Sequence, residues 1–93
     1  MGMQTDVLSA TATADGTMVS TPARVKGILI TTTASAGSVV LKDGGASGTA
    51  RITLNTPAVA EMFNALLPGE GVRFTTDVYV DVTNVASVTV FYG

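Results

Sequence analysis

The chain has 93 residues, with no cysteine, no histidine and a net charge of −2; 46% of it is apolar and only 13% charged. That length makes one domain, residues 1–93, with a thin core. The missing cysteines exclude disulfides and thiolate zinc sites, and the missing histidines remove the commonest metal ligand and acid–base group.

Of the ways a thin core can be supported, association with other chains is the one left open. A sparsely charged, hydroxyl-rich surface favours such contacts. Five scattered cations on a negative chain argue against binding nucleic acid through its phosphates. The start of the chain lacks the basic and apolar regions of a signal peptide, and Asp6 stands where a myristoylation motif needs Ser or Thr. No stretch approaches the roughly 18–20 apolar residues of a membrane helix. The expected product is cytoplasmic when made, with no membrane partner.

Val and Thr dominate, and period-two alternation between turn signals predicts strands. Residues 4–14 predict a first strand with Leu8, Ala10, Ala12 and Ala14 on one face. Asp15-Gly16 predicts a hairpin turn into a strand over 17–21, ended by Pro22. Residues 24–33 predict a third strand whose alternation breaks: Val25 and Leu29 share one face, Ile28 and Ile30 the other. Either Gly27 marks a bulge that switches faces, the favoured reading, or a neighbouring chain covers the second face. That second possibility makes Ile28 and Ile30 candidate interface residues.

A turn at 34–37 leads to a strand over 38–42, closed by Asp43-Gly44-Gly45. Residues 51–55 predict a strand with Ile52 and Leu54 inward. Thr56-Pro57 has the form of a helix start, and Val59, Met62, Phe63, Leu66 and Leu67 follow at helical spacing. The same residues also suit a strand, so the expectation is one helical turn near Pro57 and then extended chain. Strands over 72–74, 77–82 and 87–92 complete the list, with Val78, Val80 and Val82 inward. The fold class is therefore all-β: an antiparallel β-sandwich or jelly-roll-like barrel of about eight short strands.

Catalytic constellations are hard to build from this composition. Ser38 and Lys42 on one strand face stand about 13 Å apart, beyond hydrogen-bond reach, and Asp77 and Asp81 are as far apart. The last two read as edge charges that discourage unwanted pairing. Asp43 is a lone turn carboxylate, and the glycines at 44, 45 and 48 lack the Lys-Ser/Thr of a phosphate loop. The expectation is no enzyme, no cofactor and no metal. Tyr79 and Phe91 join Ile28 and Ile30 as candidate contacts with another chain.

Three runs carry a family resemblance: Arg24-Val25-Lys26-Gly27-Ile28, the stretch from Ala34 to Gly44, and Leu67-Pro68-Gly69-Glu70-Gly71-Val72-Arg73-Phe74. With the ending Val88-Thr89-Val90-Phe91-Tyr92, they resemble small β-sandwich virion proteins of tailed bacteriophages, some of them head decoration or cement subunits. The likeness spans about three-quarters of the chain and rests on turn and strand patterns. It implies a virion location and the major capsid protein or other virion subunits as partners. It also implies a homo-oligomer, with a trimer favoured. A carbohydrate-binding adhesion module is the alternative, weakened by the lack of Trp and a count of two Tyr.

Overall fold

A computed structural model describes residues 8–66 and 71–93. The expected strand residues 4–7 and turn residues 69 and 70 lie outside the described residues, as does Leu67. Nine strands are described: β1 Leu8–Ala12, β2 Gly16–Val19, β3 Ala23–Thr32, β4 Gly37–Asp43, β5 Thr49–Thr56, β6 Met62–Leu66, β7 Val72–Phe74, β8 Val78–Thr83 and β9 Val85–Tyr92. They form two antiparallel sheets, β1-β9-β3-β6 with β7 also on β3, and β2-β8-β4-β5.

The pairing is nested. β1 pairs β9, β2 pairs β8, β3 pairs β6 and β7, and β4 pairs β5. The chain is thus one long antiparallel ribbon, closed at the β4–β5 hairpin and rolled so that β9 meets β3 and β8 meets β4. That is the winding of a jelly roll. β6 and β7 fill one strand position on β3, facing residues 27–31 and 23–25 respectively, which reconciles nine segments with eight places.

β-branched residues fit this architecture because they pack well on a pleated, half-buried surface. Val25, Val39, Val78, Val80, Val88 and Val90 are fully buried with Ile28, Leu41 and Phe74. Each such burial contributes about 2 kcal/mol against the entropy of ordering the chain.

The break in β3 is a bulge. Val25 faces Tyr92 and Gly27 faces Phe91, so Lys26 is the extra residue and both Val25 and Ile28 turn inward. This corrects the idea that Ile28 and Ile30 face another chain. They are 0% and 4% exposed and belong to the core of this chain. A second bulge, at Leu41/Lys42, leaves Arg51 as the extra residue of β5.

Three further expectations need correction. Asp15-Gly16 is not a hairpin turn, since β1 and β2 lie in opposite sheets. Gly16 has no positive φ, and Asp15 Oδ1 instead accepts the Val82 N–H at 2.7 Å. Asp81 is not an edge charge, because β8 lies between β2 and β4.

Finally, no helical turn follows Pro57. A helix would need the Glu61 N–H to reach the Pro57 carbonyl. That N–H donates instead to Thr32 Oγ1 at 3.0 Å, while Thr32 N–H donates to the Glu61 carbonyl at 2.8 Å. The chain is pinned to the end of β3 and enters β6 extended.

Side chains hold most of the other sheet crossings in the same way. Thr33 Oγ1 donates to the Asn84 carbonyl at 2.9 Å, and Asn84 Nδ2 donates to the Ala36 carbonyl at 2.9 Å. The turns 33–36 and 83–84 are thereby locked together. Asn84 has φ 52°, a left-handed value that Asn tolerates. Beside it, Gly37 lies so close to the Thr83 carbonyl that a Cβ would not fit.

Candidate functional site

The carboxylates and the lysine that invite chemical readings are spent on backbone groups and ion pairs. Asp43, its side chain 3% exposed, accepts Thr75 N–H and Thr75 Oγ1–H at 2.9 Å each and Thr76 N–H at 2.8 Å. Arg51, the bulge residue, places Nη2 3.4 Å from the same carboxylate. The backbone N–H of Thr75 is the main cause holding the Asp43 carboxyl well below the ordinary carboxylate range, against burial, which raises it; Thr76 and the Thr75 hydroxyl add to the lowering. Asp77 Oδ1 accepts Gly44 N–H at 2.9 Å and Gly45 N–H at 3.1 Å.

On the face of β4 turned away from the core, Lys42 Nζ donates to the Ala46 carbonyl at 3.1 Å and lies 3.4 Å from Asp81 Oδ2. Lys42 is therefore turned to the next loop and to β8, whereas Ser38 faces Asn55 and Thr83 across the ladder. Among the described residues no group of three or more acidic side chains could hold a metal ion.

The two outer sheet faces differ in charge. The strands β1, β3, β6, β7 and β9 contain Arg24, Lys26 and Arg73 and no acidic residue, and Arg24 stands directly across from Arg73. The other sheet's strands carry Lys42 and Arg51 with their partners Asp81 and Asp43. Phe91 lies on the first outer face between Ser9 and Gly27, half-buried, its ring beside a glycine that offers no side chain. Tyr79 lies on the opposite outer face between Thr17 and Lys42. The structure therefore separates the candidate contact residues: Ile28 and Ile30 within, Phe91 on one side and Tyr79 on the other.

Sequence reasoning missed the most exposed apolar group. Val59, Met62 and Phe63 are 44%, 65% and 39% exposed, and Leu8 is 56% exposed. The stripe at helical spacing would have been buried on a helix; on extended chain its members point to different sides. The missing signal was the reach of Thr32, which no local pattern reports. Phe63 stands at the open seam between the edges β5 and β6, over a cleft of about 170 Å³ lined by Ile30, Leu54, Asn55, Thr56, Pro57, Asn64 and Ala65. A shallower depression beside the 83–84 turn is bordered by Asp15, Thr33 and Asn84, which already bond to Val82, Asn84 and Ala36.

Compared with protein-family models, curated proteins and solved structures, the chain matches none.

Proposed function

We propose that this chain is a structural subunit of a tailed-bacteriophage virion, a head decoration or cement protein that works by protein–protein contact. The observation that carries the proposal is the exposure of Val59, Met62 and Phe63 at and just before the β6 edge, on a chain with so few charges. Apolar side chains grouped on a small surface favour being covered by a partner. The jelly-roll winding supports the reading by analogy, since viral capsid domains use it. Two outer faces, one with cations and Phe91, one with Tyr79 and the Lys42–Asp81 pair, give a subunit two different surfaces to present. In this role no residue performs chemistry. Repetition around a symmetric particle multiplies weak contacts into a strong hold on the capsid.

The test is co-sedimentation of the purified chain with capsids assembled from the major capsid protein of the same genome. Saturable binding at a fixed ratio, with a higher melting temperature for the capsid, is expected. A chain that stays in the supernatant at every concentration would overturn the proposal, and selective hits on a glycan array would move the assignment to an adhesion module.

A further inference from the structure

We propose that β6 is a self-recognition edge, pairing antiparallel with β6 of a second copy about a two-fold axis through Asn64.

The argument begins with the backbone. Thr32 N–H donates to the Glu61 carbonyl, and the ladder continues in steady register from Thr31 opposite Met62 to Gly27 opposite Leu66. In an antiparallel pair the bonded positions alternate, so Phe63 and Ala65 direct their peptide groups to β3. Met62, Asn64 and Leu66 then direct theirs away from the sheet, and among the described residues no strand receives them. An unpaired edge of this kind is a template for another strand. Sheets usually blunt such edges with charge, proline or a bulge. The segment Met62-Phe63-Asn64-Ala65-Leu66 has none of the three.

Register and side chains then select the same occupant. Outward peptide groups at 62, 64 and 66 allow Asn64 to face Asn64 of a second copy as a bonded pair, with Met62 and Leu66 facing each other on either side. The positions between them bring Phe63 opposite Ala65 twice. Those are the close, non-bonded pairs, where Cα atoms approach to about 4.5 Å and a large side chain needs a small one across from it. The strand is neutral, so pairing with itself brings no like charges together. Phe63, half out of the seam, gains cover from the second copy.

Two five-residue strands make an interface below the roughly 1,000 Å² that a stable specific complex exceeds, so the pair is weak alone and gains strength by repetition in an assembly. An isologous pair closes as a dimer, in place of the three-fold cluster expected from sequence. The inference deepens the structural-subunit reading by naming one of its contacts.

Sedimentation equilibrium of the full chain from about 10 µM to 1 mM tests it, a range that brackets a weak complex. The wild type is expected to approach twice the protomer mass. Asn64→Pro, which removes an outward N–H and leaves the bonds to β3 intact, is expected to remain at the protomer mass with an unchanged melting temperature. A wild type that stays at the protomer mass, or an Asn64→Pro variant that associates equally well, overturns the inference. Should that variant fail to fold, the cysteine-free background offers a second measurement. Under mild oxidation Asn64→Cys should form disulfide dimers at least about tenfold faster than Thr11→Cys on the β1 edge, because bonded partners place Cα atoms at disulfide distance. Equal rates overturn it. Loss of capsid binding with dimerisation intact would instead strike the virion reading alone.

Discussion

Asp43 and Asp77 cap each other's turns. The Asp43 carboxylate, at the end of β4, binds the backbone of Thr75 and Thr76, and the carboxylate of Asp77, the next residue, binds the backbone of Gly44 and Gly45. Two segments from different parts of the ribbon are thus held by exchange: each provides the acceptor that the other's amides need. Turn amides have no partner within their own segment, so this exchange fixes where the β4–β5 hairpin sits against the entry to β8.

The first prediction concerns acid. In the folded chain the Asp43 carboxyl titrates below its unfolded value, held there chiefly by the Thr75 N–H. Its contribution to stability is therefore complete above the unfolded value, about pH 4, and is lost as pH falls from there through the folded value. Asp43→Asn removes this dependence. The difference in urea midpoint between wild type and variant should be constant between about pH 5 and 8 and should shrink below about pH 4. A difference that grows on acidification would contradict the assigned capping role.

Asp77 and Asp81 look alike in sequence, as alternate residues of one strand pattern, and should behave differently. Asp77→Ala removes a charged acceptor from two loop amides, one exposed and one half-buried, and should cost about 1 kcal/mol. Asp81→Ala removes only a partly exposed partner of Lys42 and should cost less than about 0.5 kcal/mol. Chemical denaturation of both variants at neutral pH decides the matter, and equal costs would refute it.

The sequence made the inward set of two strands legible, Val78 and Val80 in one and Ile52 and Leu54 in the other, and the bulge beside Gly27 follows from the usual place of glycine in strands. Which strands become neighbours was not legible. Asp15-Gly16 carries hairpin chemistry, yet its chain crosses between sheets because Asp15 is taken by Val82, 67 positions away. Residues 57–61 carry helix chemistry and are overruled by Thr32. Beyond that one expected turn the sequence already places Met62 and Phe63 on extended chain, but nothing in their pattern reports that β6 is the last strand of its sheet. Local patterns report local geometry; the partner of a turn lies elsewhere in the chain.

The sharpest contrast for the core lies between Ile28 and Phe91. Both are large apolar residues within one bonded region of β3 and β9, one turned in and one turned out. Ile28→Ala leaves a cavity between the sheets and should cost about 3–4 kcal/mol. Phe91→Ala trims the outer face and should cost about 1 kcal/mol. Thermal denaturation should therefore separate the two by about 10 °C or more. If the capsid contact uses that outer face, Phe91→Ala should weaken capsid binding while leaving the fold intact.

Thr32 supports the last prediction. It is 3% exposed, on the inward side of β3, where alternation would place a hydrocarbon. Its hydroxyl oxygen accepts the Glu61 N–H, and the hydroxyl is within donating reach of the carbonyls of Val59 and Glu61. Thr32→Val keeps the shape and removes every one of these side-chain bonds, leaving the Glu61 N–H without its acceptor. The penalty should be about 1–3 kcal/mol, set by that stranded amide more than by the lost attraction. Its location is the telling part. Hydrogen exchange should accelerate first at Glu61 and through β6, with Val80 and Val88 unchanged, because the loosened segment hangs from one edge of the sheet. Uniform acceleration across both sheets would mean that Thr32 acts through global stability and does not pin this crossing.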